Sequence, residues 1–564
     1  MCPVYLHTQA TLSFASEPGH GGYLDSIEIV TDTADWTALI NLAANLPAGS
    51  RSVTFDTASG TLAVGNYIAL GATATGSQEI RKISSLGTYN GTAATGTVYL
   101  DYPTGFFHAD NEVLDEKTVN SANVPTGNSF LTFLPGVYET ITVPDQQNEI
   151  TPHYFLGTAS RRNPYVYLRG RQAFEGSLPN FILLNGFPLR FPFGRVRTVA
   201  TAVSGGSSTN SAATNRGQRT LPITDGTNFA NGDLIEIERG GTNPEVRQII
   251  SGAGGIGAQT FILNYPLMLT HANGLTVSEA TSGTTFTHTI IEDNELDSIS
   301  WHVLFRDTGE TAANDIIRRY VGGLVGRATI GAREGELLMM SWDSVPFLDM
   351  VHNQPFHSSI GGGTTEITKS SQGLIAPTGI GGSIPHSGGA LGTATYPTTE
   401  PYYFSQGTLS FFGQTLARIR DFRIDVNNNL DPRYYIRDDG TTRIPAEIQE
   451  QRREYRMTAT IALPDSIAAT ATTRTLFKEL ILEGNYGSGM NGMNIVLTFT
   501  RGTSDTITIT IPSGGAAGTG GDAQGAFILT AAHDITADSP ISVPVNITFR
   551  NISTVVVDSI GTYP

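Results

Sequence analysis

A chain of 564 residues is too long for one ordinary core and leaves room for two units of moderate size plus additions. Charged residues are sparse (15%) and the formal net charge is −17, which argues against a surface that grips nucleic-acid phosphate but not against a passage through which DNA slides. The single cysteine, Cys2, excludes an intrachain disulfide and a cysteine-based metal site, and 63 glycines among Thr-, Ile- and Val-rich stretches favour strands and turns over helices.

The opening MCPVYLHTQATLSF has no basic region and alternates, so it does not read as a secretory signal. Cys2 reads as an incidental thiol near a terminus. No stretch approaches the roughly 18 consecutive apolar residues of a spanning helix, and no membrane anchor is expected. LDSIEIVTD at 24–32 alternates as a half-buried strand does.

A repeat follows. VGNYI (64–68), EIRKI (79–83) and TVYLDYPTGFFHA (97–109) recur as NGDLI (231–235), EVRQI (245–249) and TFILNYPLMLTHA (260–272). Tyr102-Pro103 and His108-Ala109 match Tyr265-Pro266 and His271-Ala272 at the same spacing. Each copy reads as a small meander of the size of a compact β-barrel, and the two are taken as insertions at 40–118 and 198–285. His108 and His271 are expected to cap strand ends, because no partner carboxylate is seen to recur beside both. Gly254-Gly255-Ile256-Gly257 has no helix after it and reads as a turn, not a phosphate cradle.

ISWHVLFRD (299–307) is a strand by pattern. The acidic residues Asp307, Glu310, Asp315, Glu334 and Glu336 near it read as solvated strand faces and not as a converging catalytic pair. The stretch 346–400, with Gly361-Gly362-Gly363, reads as a linker, and His352 and His357 near Asp349 lack a third ligand. YYFSQGTLSF (402–411) then repeats YLHTQATLSF (5–14), and RDFRIDVNN (420–428) is matched to 24–32, which points to duplication of one β-unit. Helices are expected at 442–453 and 473–483. Strands are expected at 457–463, 494–500, 505–511 and 545–549, with a Gly-rich turn at 513–521. No HExxH, GxSxG or GKS/T motif occurs, so no catalytic, cofactor or metal residue is assigned.

The segment from Tyr402 to Glu483 holds, in order, Thr408-Leu409-Ser410-Phe411, the strand Phe422–Val426, the run Asn427-Asn428-Asn429-Leu430, Arg433-Tyr434-Tyr435, Arg443-Ile444-Pro445, the strand Tyr455–Ile461 and Leu476-Phe477. In these residues it resembles the tail tube proteins of long-tailed phages and related tailed viruses. Tyr320–Gly326, Glu334–Leu337 and Glu175–Pro179 look like the same family.

The resemblance implies a mainly β chain. It would hold two tandem tail-tube-type β-sandwich domains with few short helices, plus the two small inserted β-barrel-like modules. The first domain would be 1–345, interrupted by both modules, and the second 401–564, with 346–400 as linker. The implied role is structural and not enzymatic: a virion protein stacking as rings into the hollow tail tube through which viral DNA passes. The implied partners are copies of itself, in trimeric pseudo-hexameric or hexameric rings, and the tape measure, tail terminator and tail-tip proteins. Inter-subunit or inter-ring contacts are expected at Asn427, Asn428, Asn429, Leu430, Arg433, Tyr434, Arg437, Arg443 and Glu447. A virion adhesin using the two modules, and a β-rich polysaccharide-degrading enzyme, are the competing readings.

Overall fold

The computed structural model describes residues 5–22, 24–26, 38–58, 62–71, 77–90, 94–117, 127–129, 136–154, 164, 166–307, 316–352, 374–375, 400–411, 414–415, 419–436, 443–462, 494–511, 526–531 and 542–563.

Strand β1 (Tyr5–Glu17) is followed by the short β2 (Asp25–Ser26). The first module contains β3 (Ala38–Leu42), β4 (Ser52–Ala58), β5 (Tyr67–Leu70), β6 (Glu79–Ser85), β7 (Gly96–Leu100) and β8 (Val113–Lys117). After β9 (Gly127–Ser129), the long β10 (Thr142–His153) and β11 (Val166–Ile182) form a hairpin. A buried 3-10 turn (Phe187–Leu189) and the single-turn α1 (Arg190–Phe193) lead into β12 (Gly194–Ala200). The second module contains β13 (Val203–Thr209), β14 (Thr220–Ile223), β15 (Leu234–Ile237), β16 (Glu245–Ser251), β17 (Gln259–Leu263) and β18 (Thr276–Ala280). β19 (Phe286–Glu292) returns beside β12.

Next come β20 (Ser298–Asp307), β21 (Ile316–Gly323), β22 (Arg327–Arg333), β23 (Met339–Phe347), β24 (Asp349–His352) and the short β25 (Leu374–Ile375). The last third holds β26 (Gly407–Phe411), β27 (Gln414–Thr415), β28 (Ile419–Asn427), β29 (Asp431–Arg433), β30 (Glu447–Gln449) and β31 (Glu454–Ala462). It closes with β32 (Ile495–Arg501), β33 (Asp505–Ile511), β34 (Phe527–Ala531), β35 (Ser542–Phe549) and β36 (Ser553–Asp558).

The chain is mainly β. β33 forms because Thr and Ile alternate, with the Ile side chains buried, and β36, as STVVVD, shares the alternating burial. One pairing order occurs twice. An eight-stranded sheet runs β10-β11-β23-β22-β28-β31-β35-β34, so each quartet reads first, second, last and second-to-last of its own set. A four-stranded sheet runs β1-β20-β21-β24, and the same order recurs as β26-β32-β33-β36 inside a seven-stranded sheet, which β12 and β19 extend at one end and β27 at the other. β22 and β28 join the quartets in antiparallel register from Arg327↔Asn427 to Arg333↔Asp421.

The eight-stranded sheet packs against the other two across one continuous core. Trp342 of β23 meets Phe14 of β1 edge-on at 5.7 Å, Trp301 of β20 meets Phe347 of β23 at 5.1 Å, and Phe422 of β28 meets Phe499 of β32 at 5.6 Å.

Each module has its own core. The first is a closed barrel, β3-β4-β7-β6-β5-β8. The second has the same cyclic order, β13-β14-β17-β16-β15-β18, with an isolated bridge from Asn210 to Ile223 between its ends. Equivalent tyrosines attach the modules to opposite edges of the four-stranded sheet. The hydroxyl of Tyr102 donates to Met350 O on β24, and that of Tyr265 to Ser16 O on β1, each at 3.5 Å.

Some sequence expectations need correction. The strand equivalent to β28 is β10, not 24–32, of which Asp25–Ser26 pairs with β9 and residues 27–32 lie outside the described residues. The range 442–453 is not a helix: within it β30 pairs with β29, and the segment is pinned to β11 by Arg443. Ordered strand also continues through β24 to His352, into the range read as linker. The expected helix at 473–483, the turn at 513–521 and His357 lie outside the described residues.

Candidate assembly surfaces

The segment between β28 and β31 holds the residues expected at contacts, and it lies across the internal joint. Asn427 ends β28, and its Oδ1 accepts from Asn429 N at 3.1 Å. Asn429 has φ +47°, a left-handed turn that asparagine tolerates, and its Nδ2 donates to Arg452 O at 2.6 Å. Asn428 is buried. Its Nδ2 donates to Val325 O (2.8 Å) and Pro192 O (3.2 Å), and its Oδ1 accepts from Arg453 Nε (2.7 Å). It is therefore an internal tie, with no side-chain surface left to offer a neighbour.

Leu430 and Ile448 pack on Leu296, Leu324 and Leu348. The Tyr434 hydroxyl donates to Gln172 O at 3.1 Å, and the Arg171 guanidinium stands 5.2 Å over the Tyr434 ring. Arg443 Nε donates to Gly170 O at 3.0 Å, and Arg443 O accepts from Gln172 N at 2.8 Å. Arg433 pairs with Asp431 at 2.7 Å, both half-exposed, and Glu447 accepts from the Tyr435 hydroxyl at 2.8 Å. Arg437 lies outside the described residues.

Several surfaces of the described residues face outward. Among the described residues, β10 and β34 each pair on one side only, leaving rows of unpaired backbone groups at both ends of the eight-stranded sheet. The hairpin β10–β11 extends past its last pairing with β23 at Phe174, and its far end exposes Ile150, Tyr154, Val166, Tyr167 and Leu168. The face of the sheet turned from the core is polar, and several of its side chains bond one another. The Thr329 hydroxyl lies within hydrogen-bond distance of both Asp343 (3.1 Å) and Asp425 (3.0 Å), Arg423 pairs with Asp425, and Ser344 donates to Glu175.

The modules hold a feature the sequence reading missed. His108 is clasped between Glu79 (2.8 Å) and Glu112 (3.1 Å), and Glu79 also pairs with Arg81 at 2.6 Å. His271 is clasped between Glu238 (2.9 Å) and Glu245 (3.2 Å), and Glu245 pairs with Arg247. A partner carboxylate thus does recur beside both histidines, through the shared Glu-x-Arg of EIRKI and EVRQI, which corrects the strand-cap reading. Burial pushes His108 down, but Glu112 and Glu79 outweigh it and raise its pKa to about 9, and His271 is raised in the same way.

A histidine raised above its ordinary 6.5 gives stability that is complete below that pH and is lost as pH climbs through the folded value. Calorimetry from pH 6.5 to 9 should therefore show the module transitions falling, by an amount on the order of 2–3 kcal/mol for His108. The double variant His108→Gln/His271→Gln should flatten that dependence. An unchanged slope in the variant would count against the clasps.

Among the described residues no group of three or more His, Cys, Asp or Glu is placed to hold a metal ion, and no helix is long and apolar enough to cross a membrane. A family model described as phage tail tube protein matches residues 230–550, more than half of the chain. No curated protein matches it.

Proposed function

The chain belongs to the phage tail tube protein family, a structural component of the virion tail, and from that premise we propose that it polymerises as stacked rings into the hollow conduit for DNA ejection in a siphovirus-type tail. The observation that carries this reading is the doubled quartet with one joint made and two ends open. β22·β28 closes the joint inside the chain, while among the described residues their counterparts β34 and β10 each pair on one side only. Edge pairing of β34 with β10 of the next subunit repeats the internal joint, and repetition around an axis removes every open edge. Three subunits then give six quartets, a threefold ring with near-sixfold internal symmetry.

The polar face of the eight-stranded sheet lines the bore in this arrangement. On it Arg423 pairs with Asp425, and the net charge of −17 gives no general attraction for phosphate. The modules hang on the opposite layer, through Tyr102 and Tyr265, and so decorate the outer wall. The ring faces at the two tube ends serve the neighbouring tail proteins: tape measure, terminator and tip.

Purified protein concentrated across a range of salt should form hollow, ring-stacked tubes in negative stain, with end-on averages showing threefold symmetry and six lobes around a central bore. A population that stays monomeric under all these conditions would sink the proposal.

A further inference from the structure

The hairpin β10–β11 and the segment β28–β31 are copies of one another in sequence as well as in place. Asp145-x-x-Asn148-x-Ile150-x-Pro152-x-Tyr154 matches Asp425-x-x-Asn428-x-Leu430-x-Pro432-x-Tyr434. Pro164, Tyr167 and Arg171-x-x-Phe174 match Pro445, Ile448 and Arg452-x-x-Tyr455. The ladders agree, since Gln146 pairs with Phe174 as Val426 pairs with Tyr455.

The two copies have opposite surroundings. In the second copy, Leu430 and Ile448 pack at the internal joint, and Tyr434 lies under Arg171 of the preceding quartet. In the first copy, the equivalent Ile150, Tyr167 and Tyr154 are 57%, 61% and 62% exposed. The equivalent of Arg171 in the second copy is Arg452, also exposed. Among the described residues, neither Tyr154 nor Arg452 has a side-chain partner. One copy of the contact is made within the chain, and the two halves of its repeat stand open at opposite ends of the same sheet.

We infer that the β10–β11 hairpin of each subunit reaches across the joint onto a second copy of this chain, laying Tyr154 under Arg452 of that copy and burying Ile150 and Tyr167 at the seam. The inference rests on the ring reading and adds to it a direction and a contact pair. In the chain, the second quartet's arm crosses β22 and β23 to reach β11. The next subunit's hairpin therefore crosses β34 and β35 to reach β31. A guanidinium over a tyrosine ring gives a contact that survives partial solvation, and the apolar pair beside it excludes water.

The test uses full-length protein with Cys2→Ser as background. Tyr154→Cys with Arg452→Cys, treated with a short bismaleimide under tube-forming conditions, should give a ladder of covalent dimers and higher species on a denaturing gel, and each single variant should not. Arg171→Cys with Tyr434→Cys is the geometric control, and it should link within one chain. Arg452→Glu should raise the protein concentration needed for tubes about tenfold. Tubes that form normally, with a working control and no 154–452 ladder, overturn the inference and leave the ring reading standing. Absence of tubes in the background protein overturns both. Tyr154 and Arg452 are exposed, so the substitutions leave the core untouched.

Discussion

Replacing Asp297 with alanine should lower folding stability by about 3–5 kcal/mol, the cost of leaving a buried charge without its counterion. Asp297 Oδ2 accepts from Arg190 NH2 at 2.6 Å, and both side chains are about 2% exposed. Its Oδ1 accepts from Arg216 of the second module at 2.8 Å. Arg190 sits on α1, between the rings of Phe187 and Phe191, so water cannot take the place of the lost carboxylate. The same residues hold the module to the sandwich, so the effect should extend beyond one strand.

Burial by itself would raise the Asp297 carboxyl, but Arg190 and Arg216 outweigh it and hold it below the ordinary 3.8. The pair therefore stabilises above about that pH, and its contribution is lost as pH falls through the folded value. Urea unfolding followed by tryptophan fluorescence reads the change, and Arg190→Met with Asp297→Leu should recover most of it. A single variant as stable as the parent would show that the pair is not held as described.

Trp342→Ala should be of similar size, about 3–5 kcal/mol, by a different route. The indole is fully buried where both layers meet, with Phe181 at 5.4 Å, Phe191 at 5.6 Å and Phe14 at 5.7 Å, all edge-on. Those rings come from β11, α1 and β1, so no single element can move in to fill the space. Trp342→Phe should cost far less, because a ring still occupies most of the site. A differential scan in which the alanine and phenylalanine variants unfold together would argue against a rigid aromatic centre.

Much of the architecture is legible in the order of the amino acids. The TLSF repeat marks β1 and β26, which hold equivalent sheet positions, and the Tyr-Pro…His-Ala repeat marks two modules of one cyclic topology. What stays hidden has physical causes. β10 is equivalent to β28, but its sequence TVPDQQNEITPH lacks alternation because its outer half pairs only with β11 and has no core beneath it. A search for period two therefore selects 24–32 instead. The range 442–453 has helix-tolerant composition, but Pro445 and the grip of Arg443 on Gly170 impose an extended path, so tertiary contact overrides propensity. The carboxylates common to both histidine clasps, Glu79 and Glu245, lie 29 and 26 residues from their histidines in sequence, and the unequal loops conceal a shared site. Within the segment expected at contacts, the sequence could not separate the buried tie Asn428 from the outward Arg433.

The strand pair β22·β28 has a kinetic meaning. Two quartets on one chain meet at a high local concentration set by their tether, so the proposed ring would need three bodies to find one another in place of six, with half of its seams made before any encounter. The same covalent link frees the two halves from identity. Both modules are borne by the first half alone, so in the proposed ring the exterior would vary around three positions while the inner wall would keep a near-sixfold regularity.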